Sequence, residues 1–245
     1  SRVKISTTGM ITNASKTVAQ AQAPCHRRAV AALNGNRYAA RYLASFIEAS
    51  FTVQNYSKSL LFGKRTFADF FKSSATHMDF FQLRIKSVTP ETADTVTLEF
   101  DLTPELAQLF QYKQGQYITI RHEADGHELR RSYSMSSSPT EGRLAVTVKK
   151  VPDGKVSTWL HDSVKAGDSI DVAAPQGRFY NDLNPDKRRT YYLFGAGSGI
   201  TPLLSIIKTV LESEPMSAIF LLYGSRNEEQ IIFRDALDAL AERYV

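Results

Sequence analysis

A six-stranded antiparallel β-barrel followed by a partial doubly wound parallel α/β sheet is the fold class that the 245-residue sequence predicts. Three observations carry it. Apolar and polar residues alternate over six short runs between residues 81 and 174, each bounded by turn residues. After Pro175 the pattern changes to strand, glycine-rich turn, helix, strand, helix. Charge also breaks where the alternation begins: residues 1–77 carry 11 Lys and Arg against two acids, Glu48 and Asp69, a net +9, whereas residues 78–245 carry 19 against 23, a net −4.

Residues 1–77 read as a basic N-terminal extension of uncertain structure. Their Arg- and Ser-rich, acid-poor composition is that of an organelle transit peptide, and equally that of an adventitious extension. "RRAVAALNGNRYAARYLASFIEAS", 27–50, would form a helix interrupted at Asn34-Gly35-Asn36. Met78 stands just before the first clean strand pattern. The acidic remainder has no basic patch to offer nucleic acid. No apolar run approaches the roughly 18 residues of a membrane span. Cys25 is the one cysteine, so the chain cannot build a disulfide framework or an all-cysteine iron–sulfur site. A reducing, cytoplasmic setting suits that composition.

The barrel elements follow in order. "FQLRIKSV", 81–88, alternates Phe81, Leu83 and Ile85 against Gln82, Arg84 and Lys86, a half-buried strand. "VTLEFDL", 96–102, repeats the pattern with Val96, Leu98 and Phe100. Two further runs flank Asp125-Gly126, a strong hairpin signal. "RLAVTVKKV", 143–151, and "DSIDVAA", 168–174, complete six strands, with one brief helix expected near 157–163. His122 and His127 flank the hairpin turn and could meet across it. Two histidines without a third ligand are ordinarily surface residues, so no metal site is expected. Packing is the expectation for Trp159.

The α/β part opens with "TYYLFGAGSGI", 190–200, an apolar strand running into Gly195, Gly197 and Gly199. Thr201 is the expected N-cap of the next helix and Pro202 suits its first turn. Ile200, Leu203, Leu204, Ile207 and Leu211 then share one helical face. "AIFLLYG" is the second strand, and "EQIIFRDALDALAERY" a second helix with Phe233, Leu237 and Leu240 in register. A glycine turn between strand and helix lets the backbone approach a pyrophosphate and points a helix N-terminus at it. A tight strand–helix turn needs glycine in any case, so both readings stand on this feature alone. A nucleophile elbow at Ser198 is set aside, because Ala196 and Ile200 stand where that motif wants glycine.

"LRRSYSMSSSP", 129–139, is unusual for a strand, with adjacent arginines, a tyrosine and a run of hydroxyls. An Arg-x-Tyr-Ser strand in a barrel, followed by a glycine-rich βα unit, resembles the ferredoxin–NADP reductase superfamily. The resemblance also covers "GKVSTWL", 154–160, "PQGRF", 175–179, "GAGSGITP", 195–202, and "YGSR", 223–226. Within that superfamily the chain is most similar to reductase subunits of the phenylacetyl-CoA epoxidase type, over residues 80–245.

That resemblance implies an FAD-binding barrel domain at 78–180 and a partial NAD(P)-binding α/β domain at 187–245. It implies that Arg131 pairs with the flavin pyrophosphate, Tyr133 packs on the flavin ring and Ser134 bonds the ring's reactive nitrogen, making Tyr133 and Ser134 the catalytic pair. Ser132, Lys149, Gly154, Lys155, Val156 and Ser157 join the flavin site. Gly197, Ser198, Gly199, Thr201, Ser225 and Arg226 form the nucleotide site. The expected cofactors are FAD and NADP, as NADPH with NADH as the variant. The partner is an electron-acceptor protein or iron–sulfur domain, and the expected pathway phenylacetate degradation. Against the family pattern, the later Cys-Gly-Pro strand and the iron–sulfur domain do not follow, so a fragment or a truncated form is expected. The alternative function is a non-catalytic flavin-binding or regulatory module.

Overall fold

The computed structural model describes residues 3–6 and 78–244, and the expected 27–50 helix lies outside them. A short N-terminal strand, β1 (Val3–Ser6), precedes the barrel. Six strands then form an antiparallel sheet: β2 (Phe80–Thr92), β3 (Thr95–Asp101), β4 (Tyr117–Ala124), β5 (His127–Ser134), β6 (Leu144–Lys149) and β7 (Ser169–Gln176). Their order is β5-β4-β7-β2-β3-β6. A bridge between Met135 and Val146 and the bond from Ser136 N to Ala145 O (2.9 Å) bring the two edges together, which curls the sheet into a barrel. The alternating positions point inward as expected: Leu83, Ile85, Leu98, Phe100, Ile118, Ile120, Val146 and Val172 are buried in one core.

The β4–β5 hairpin turns at Asp125 (φ 54°) and Gly126 (φ 71°), both left-handed as a two-residue type I′ turn requires. Its register pairs His122 with Leu129 and Ala124 with His127, so the two histidines are not opposite each other. His122 instead stacks on Trp159, ring centroids 3.9 Å apart. The sequence reading missed the short helix α1 (Pro104–Leu109). Its signal is Thr103-Pro104-Glu105, where the Thr103 hydroxyl accepts from Leu106 N and proline sits in the first turn. Helix α2 (Lys155–Asp162) starts two residues before the expected position.

The second sheet is parallel and joins β1 to β8 (Thr190–Ala196) and β9 (Ala218–Gly224), in the order β1-β9-β8. The sequence reading placed no strand in residues 1–77, yet Val3–Ser6 pairs with Ile219–Leu222. Helix α3 (Ile200–Ser213) covers one face of this sheet through Leu203, Leu204, Ile207 and Val210.

Two helix starts differ from expectation. Gly197–Gly199 winds as a 3₁₀ turn, so α3 is entered at Ile200 with Gly199 as its cap. Thr201 is therefore inside the helix, and its hydroxyl donates to Ser198 O at 3.0 Å. Helix α4 (Arg234–Arg243) begins after Phe233, not at Glu229, because Phe233 is left-handed (φ 63°) and buried. The preceding Glu228–Gln230 forms a separate 3₁₀ turn.

Candidate functional site

A cavity of about 650 Å³ opens between β5, β6, the 151–154 turn, the start of α2 and the glycine turn before α3. It is bordered by Arg131, Ser132, Tyr133 and Ser134 from β5, by Lys149, and by Gly154, Lys155, Val156 and Ser157. Ser198, Gly199 and Thr201 close it from the α/β side. Twelve of the fifteen residues expected to bind cofactors thus border one cavity. Gly197, Ser225 and Arg226 do not. Gly197 is the first residue of the turn, and Ser225 and Arg226 follow β9, one strand away.

Strand alternation puts Leu129, Arg131 and Tyr133 on one face of β5. Tyr133 is half-buried against the barrel core. Burial pushes its phenol up to about 12, against the lowering effect of the Arg131 charge. The hydroxyl is therefore neutral at physiological pH, and the ring serves as a packing surface with a hydrogen-bonding tip. Ser134 ends the strand, half-buried, and its hydroxyl makes no side-chain hydrogen bond among the described residues. Ser132 shares its hydroxyl with Thr119 at 3.1 Å.

The cations around the cavity are not equivalent. Lys149 pairs with Asp94 at 3.1 Å, and Lys155 reaches across to Asp125 of the hairpin. Arg130 pairs with Glu128, and Arg121 with Asp171. Arg131 donates to the Arg130 carbonyl (2.7 Å) and has no carboxylate partner among the described residues. Its remaining guanidinium donors are free to meet an anion.

The start of α2 faces the same space. Gly154 caps the helix without a side-chain hydrogen bond, so the first amides of α2 lack intrahelical partners and carry the positive end of the helix. The Ser157 hydroxyl accepts from Val151 N (3.3 Å) and donates to Gly154 O (3.2 Å), folding the turn onto the helix. A Cβ on Gly154 would lie 2.4 Å from Val151 Cγ2 and 2.5 Å from Ser157 Oγ. This turn is built around a residue with no side chain.

The hydroxyl run after β5 does other work. Ser136 accepts from Thr147 Oγ1 (2.8 Å). Ser137 accepts from Ala145 N (3.0 Å) and bonds Tyr112 OH (2.7 Å). Ser138 bonds Thr209 of α3 at 2.9 Å. All three serines are buried, and they stitch β6 and α3 together. Sequence reasoning missed Leu129, Thr147, Val151, Asp153 and Pro202 at the cavity wall. Leu129 was recoverable, since it shares Arg131's face by alternation. Asp153 had a local signal as well, being left-handed (φ 58°) in a Pro-Asp-Gly turn.

On the nucleotide side, Arg226 is exposed and makes no ion pair among the described residues, whereas Glu228 is held by Arg234. No cluster of three or more metal-ligating side chains occurs among the described residues.

Comparison with known proteins finds two domain matches along the chain. Residues 82–180 match the model of an oxidoreductase FAD-binding domain, and residues 193–245 that of an oxidoreductase NAD-binding domain. The chain is 36% identical over 165 residues to a component of the 1,2-phenylacetyl-CoA epoxidase from Escherichia coli K12, covering 67% of this chain and 46% of that protein. It is 41% identical over 165 residues to the ferredoxin reductase component of 3-ketosteroid-9-alpha-monooxygenase from Rhodococcus rhodochrous, covering 66% and 46%. A solved phthalate dioxygenase reductase, described as a modular structure for electron transfer from pyridine nucleotides to [2Fe-2S], matches with a TM-score of 0.56 and 28% identity, over 64% of this chain and 47% of that one. The chain spans about half the length of the curated relatives it matches.

Proposed function

Because the chain belongs to the ferredoxin–NADP reductase superfamily, with an oxidoreductase FAD-binding domain joined to an oxidoreductase NAD-binding domain, we propose that it takes electrons from NADPH through FAD and delivers them to an iron–sulfur or oxygenase partner. One observation carries the reading. An arginine with no carboxylate partner and an uncapped helix N-terminus border the same cavity, with the glycine turn on its other side. That donor set suits a diphosphate.

In this reading Arg131 and the α2 amides hold the flavin pyrophosphate. Tyr133 covers the ring and Ser134 offers its hydroxyl to it. Bound flavin supplies the exchange between a two-electron hydride donor and one-electron acceptors. The residues' part is to bind, orient and keep water off the ring. The relatives are named for different substrates, one as part of an epoxidase and one as the ferredoxin reductase component of a monooxygenase, which supports an oxygenase partner. The phenylacetyl-CoA branch is the finer proposal on the motif match, and a cytoplasmic location accompanies it. No helix among the described residues is long and apolar enough to cross a membrane. The test is an absorption spectrum of the purified chain before and after NADPH. Flavin bands that bleach are the expected result. A colourless protein that takes up no added FAD would sink the proposal.

Gly154→Ala probes the turn. The new methyl must displace Ser157 Oγ or Val151, losing a hydrogen bond worth about 0.5–1.5 kcal/mol. The expected result is FAD affinity reduced by up to roughly tenfold, measured by fluorescence titration.

Preference for NADPH over NADH is proposed from the end of β9. A reader of the free ribose diol ordinarily places an acid there, and this chain has Ser225 and Arg226 instead. Arg226→Ala is expected to raise the Michaelis constant for NADPH about tenfold, a loss of roughly 1.4 kcal/mol, with little change for NADH. Steady-state reduction of an artificial acceptor with each nucleotide checks it. Equal losses with both would reverse the assignment.

A further inference from the structure

Tyr223 lies near the end of β9 on the face covered by α3 and is 4% exposed. Its hydroxyl donates to the Gly197 carbonyl at 2.9 Å. One side chain of β9 therefore ties down the glycine turn after β8. The contact lies at the carboxyl ends of the adjacent parallel strands β8 and β9, where open α/β sheets bind their ligands.

Gly197 is left-handed (φ 52°), and nothing lies within 4 Å of where its Cβ would be. The Gly197 carbonyl accepts from the Ile200 N–H within the 3₁₀ turn, and the tyrosine hydroxyl is its second donor, reaching it from the neighbouring strand. The next carbonyl, Ser198 O, accepts from Thr201 Oγ1. The first two carbonyls of the turn are thus drawn toward protein donors. Carbonyl oxygens would repel a phosphate, so pinning them inward leaves the N–H groups to meet it.

We propose that Tyr223 is a positioning residue for pyridine-nucleotide binding, its hydroxyl holding the Gly197 carbonyl away from the nucleotide's phosphates. The proposal rests on the nucleotide reading given above, and in that reading Tyr223 touches neither cofactor. Tyr223→Phe keeps the ring and removes the oxygen. Calorimetric titration of NADP⁺ into FAD-loaded protein is expected to show a dissociation constant raised about tenfold, with FAD affinity unchanged. Gly197→Ala, strained at positive φ, is expected to give a similar loss. In the double variant the two losses should not add, since both act on one peptide.

A parent protein that takes up no NADP⁺ would overturn the nucleotide reading and this proposal together. A parent that binds NADP⁺, with Tyr223→Phe matching it, would overturn the proposal alone. Equal weakening of NADP⁺ and FAD would make the tyrosine a general structural residue and likewise overturn it. Should Tyr223→Phe fail to fold, a normal NADP⁺ affinity in Gly197→Ala has the same consequence.

Discussion

Glu214→Ala is expected to lower folding stability by about 1–3 kcal/mol, the cost of leaving buried hydrogen-bond donors without their acceptor. Glu214 caps the end of α3 and is 0% exposed. Its Oε1 accepts from Asn184 N (2.9 Å) and faces Arg189 Nη1 (3.1 Å). Its Oε2 accepts from Tyr191 OH (2.8 Å) and Ser217 Oγ (2.9 Å). The carboxylate so fastens the segment before β8, β8 itself and the turn before β9 to one helix end. Alanine would leave the buried Tyr191 and Ser217 hydroxyls without this acceptor. Urea denaturation followed by circular dichroism reads the loss, and a change below about 1 kcal/mol would mean that water replaces the carboxylate there.

The same residue gives a pH dependence. Burial pushes the Glu214 carboxyl up, but hydrogen bonds from Asn184, Tyr191 and Ser217 and the Arg189 charge outweigh it and hold the carboxyl below the ordinary glutamate range. The folded state then binds the proton less readily than the unfolded chain. Its stabilisation is full above the unfolded value of about 4.3 and is lost as pH falls through the lower folded value. Glu214→Gln should be less stable than the parent at neutral pH and should flatten that acid limb.

Arg131→Ala is expected to weaken FAD binding by about 1.5–3 kcal/mol, the range for a hydrogen bond to a charged group, or roughly tenfold to a hundredfold or more in affinity. Arg131 is exposed and has no ion pair to lose among the described residues, so folding stability should scarcely change. Lys149→Ala and Lys155→Ala should cost less affinity, because both ammonium groups already have carboxylate partners. Arg131→Lys should recover only part of the loss, since an ammonium lacks the guanidinium fork. The difference between parent and variant should shrink as salt rises. FAD titrations of all four variants at two salt concentrations test this. An Arg131→Ala protein that binds FAD like the parent would move the phosphate contact to α2 or the lysines.

Much of this molecule was legible in its sequence, where the rule involved is local. Period-two alternation located the six barrel strands, because neighbouring side chains on a strand face opposite sides whatever lies beyond them. Asp125-Gly126 specified its own turn, since those residues tolerate left-handed backbone. The Arg-x-Tyr-Ser strand and the glycine turn stood out as spacings that ordinary strands and helices do not need.

What escaped depends on partners distant in the chain. Thr201 has the chemistry of a cap, but the 3₁₀ turn before it moved the helix start. Phe233 adopts a left-handed backbone and buries its ring, against its intrinsic preference. The serines at 136–138 resemble cofactor ligands in sequence, and only contact with Thr147, Ala145 and Thr209 shows them to be internal fastenings. Most of all, Arg131, Lys149 and Lys155 are equivalent cations when read along the chain. Asp94 and Asp125 neutralise the two lysines from other strands and turns. The order of residues was enough to place the six barrel strands, the hairpin turn and the cations, since backbone geometry and short-range sterics act over a few residues, whereas the strand at Val3–Ser6 is defined by its distant partner β9. Which cation stays open to an anion emerged only on folding, because charge pairing follows distance in space.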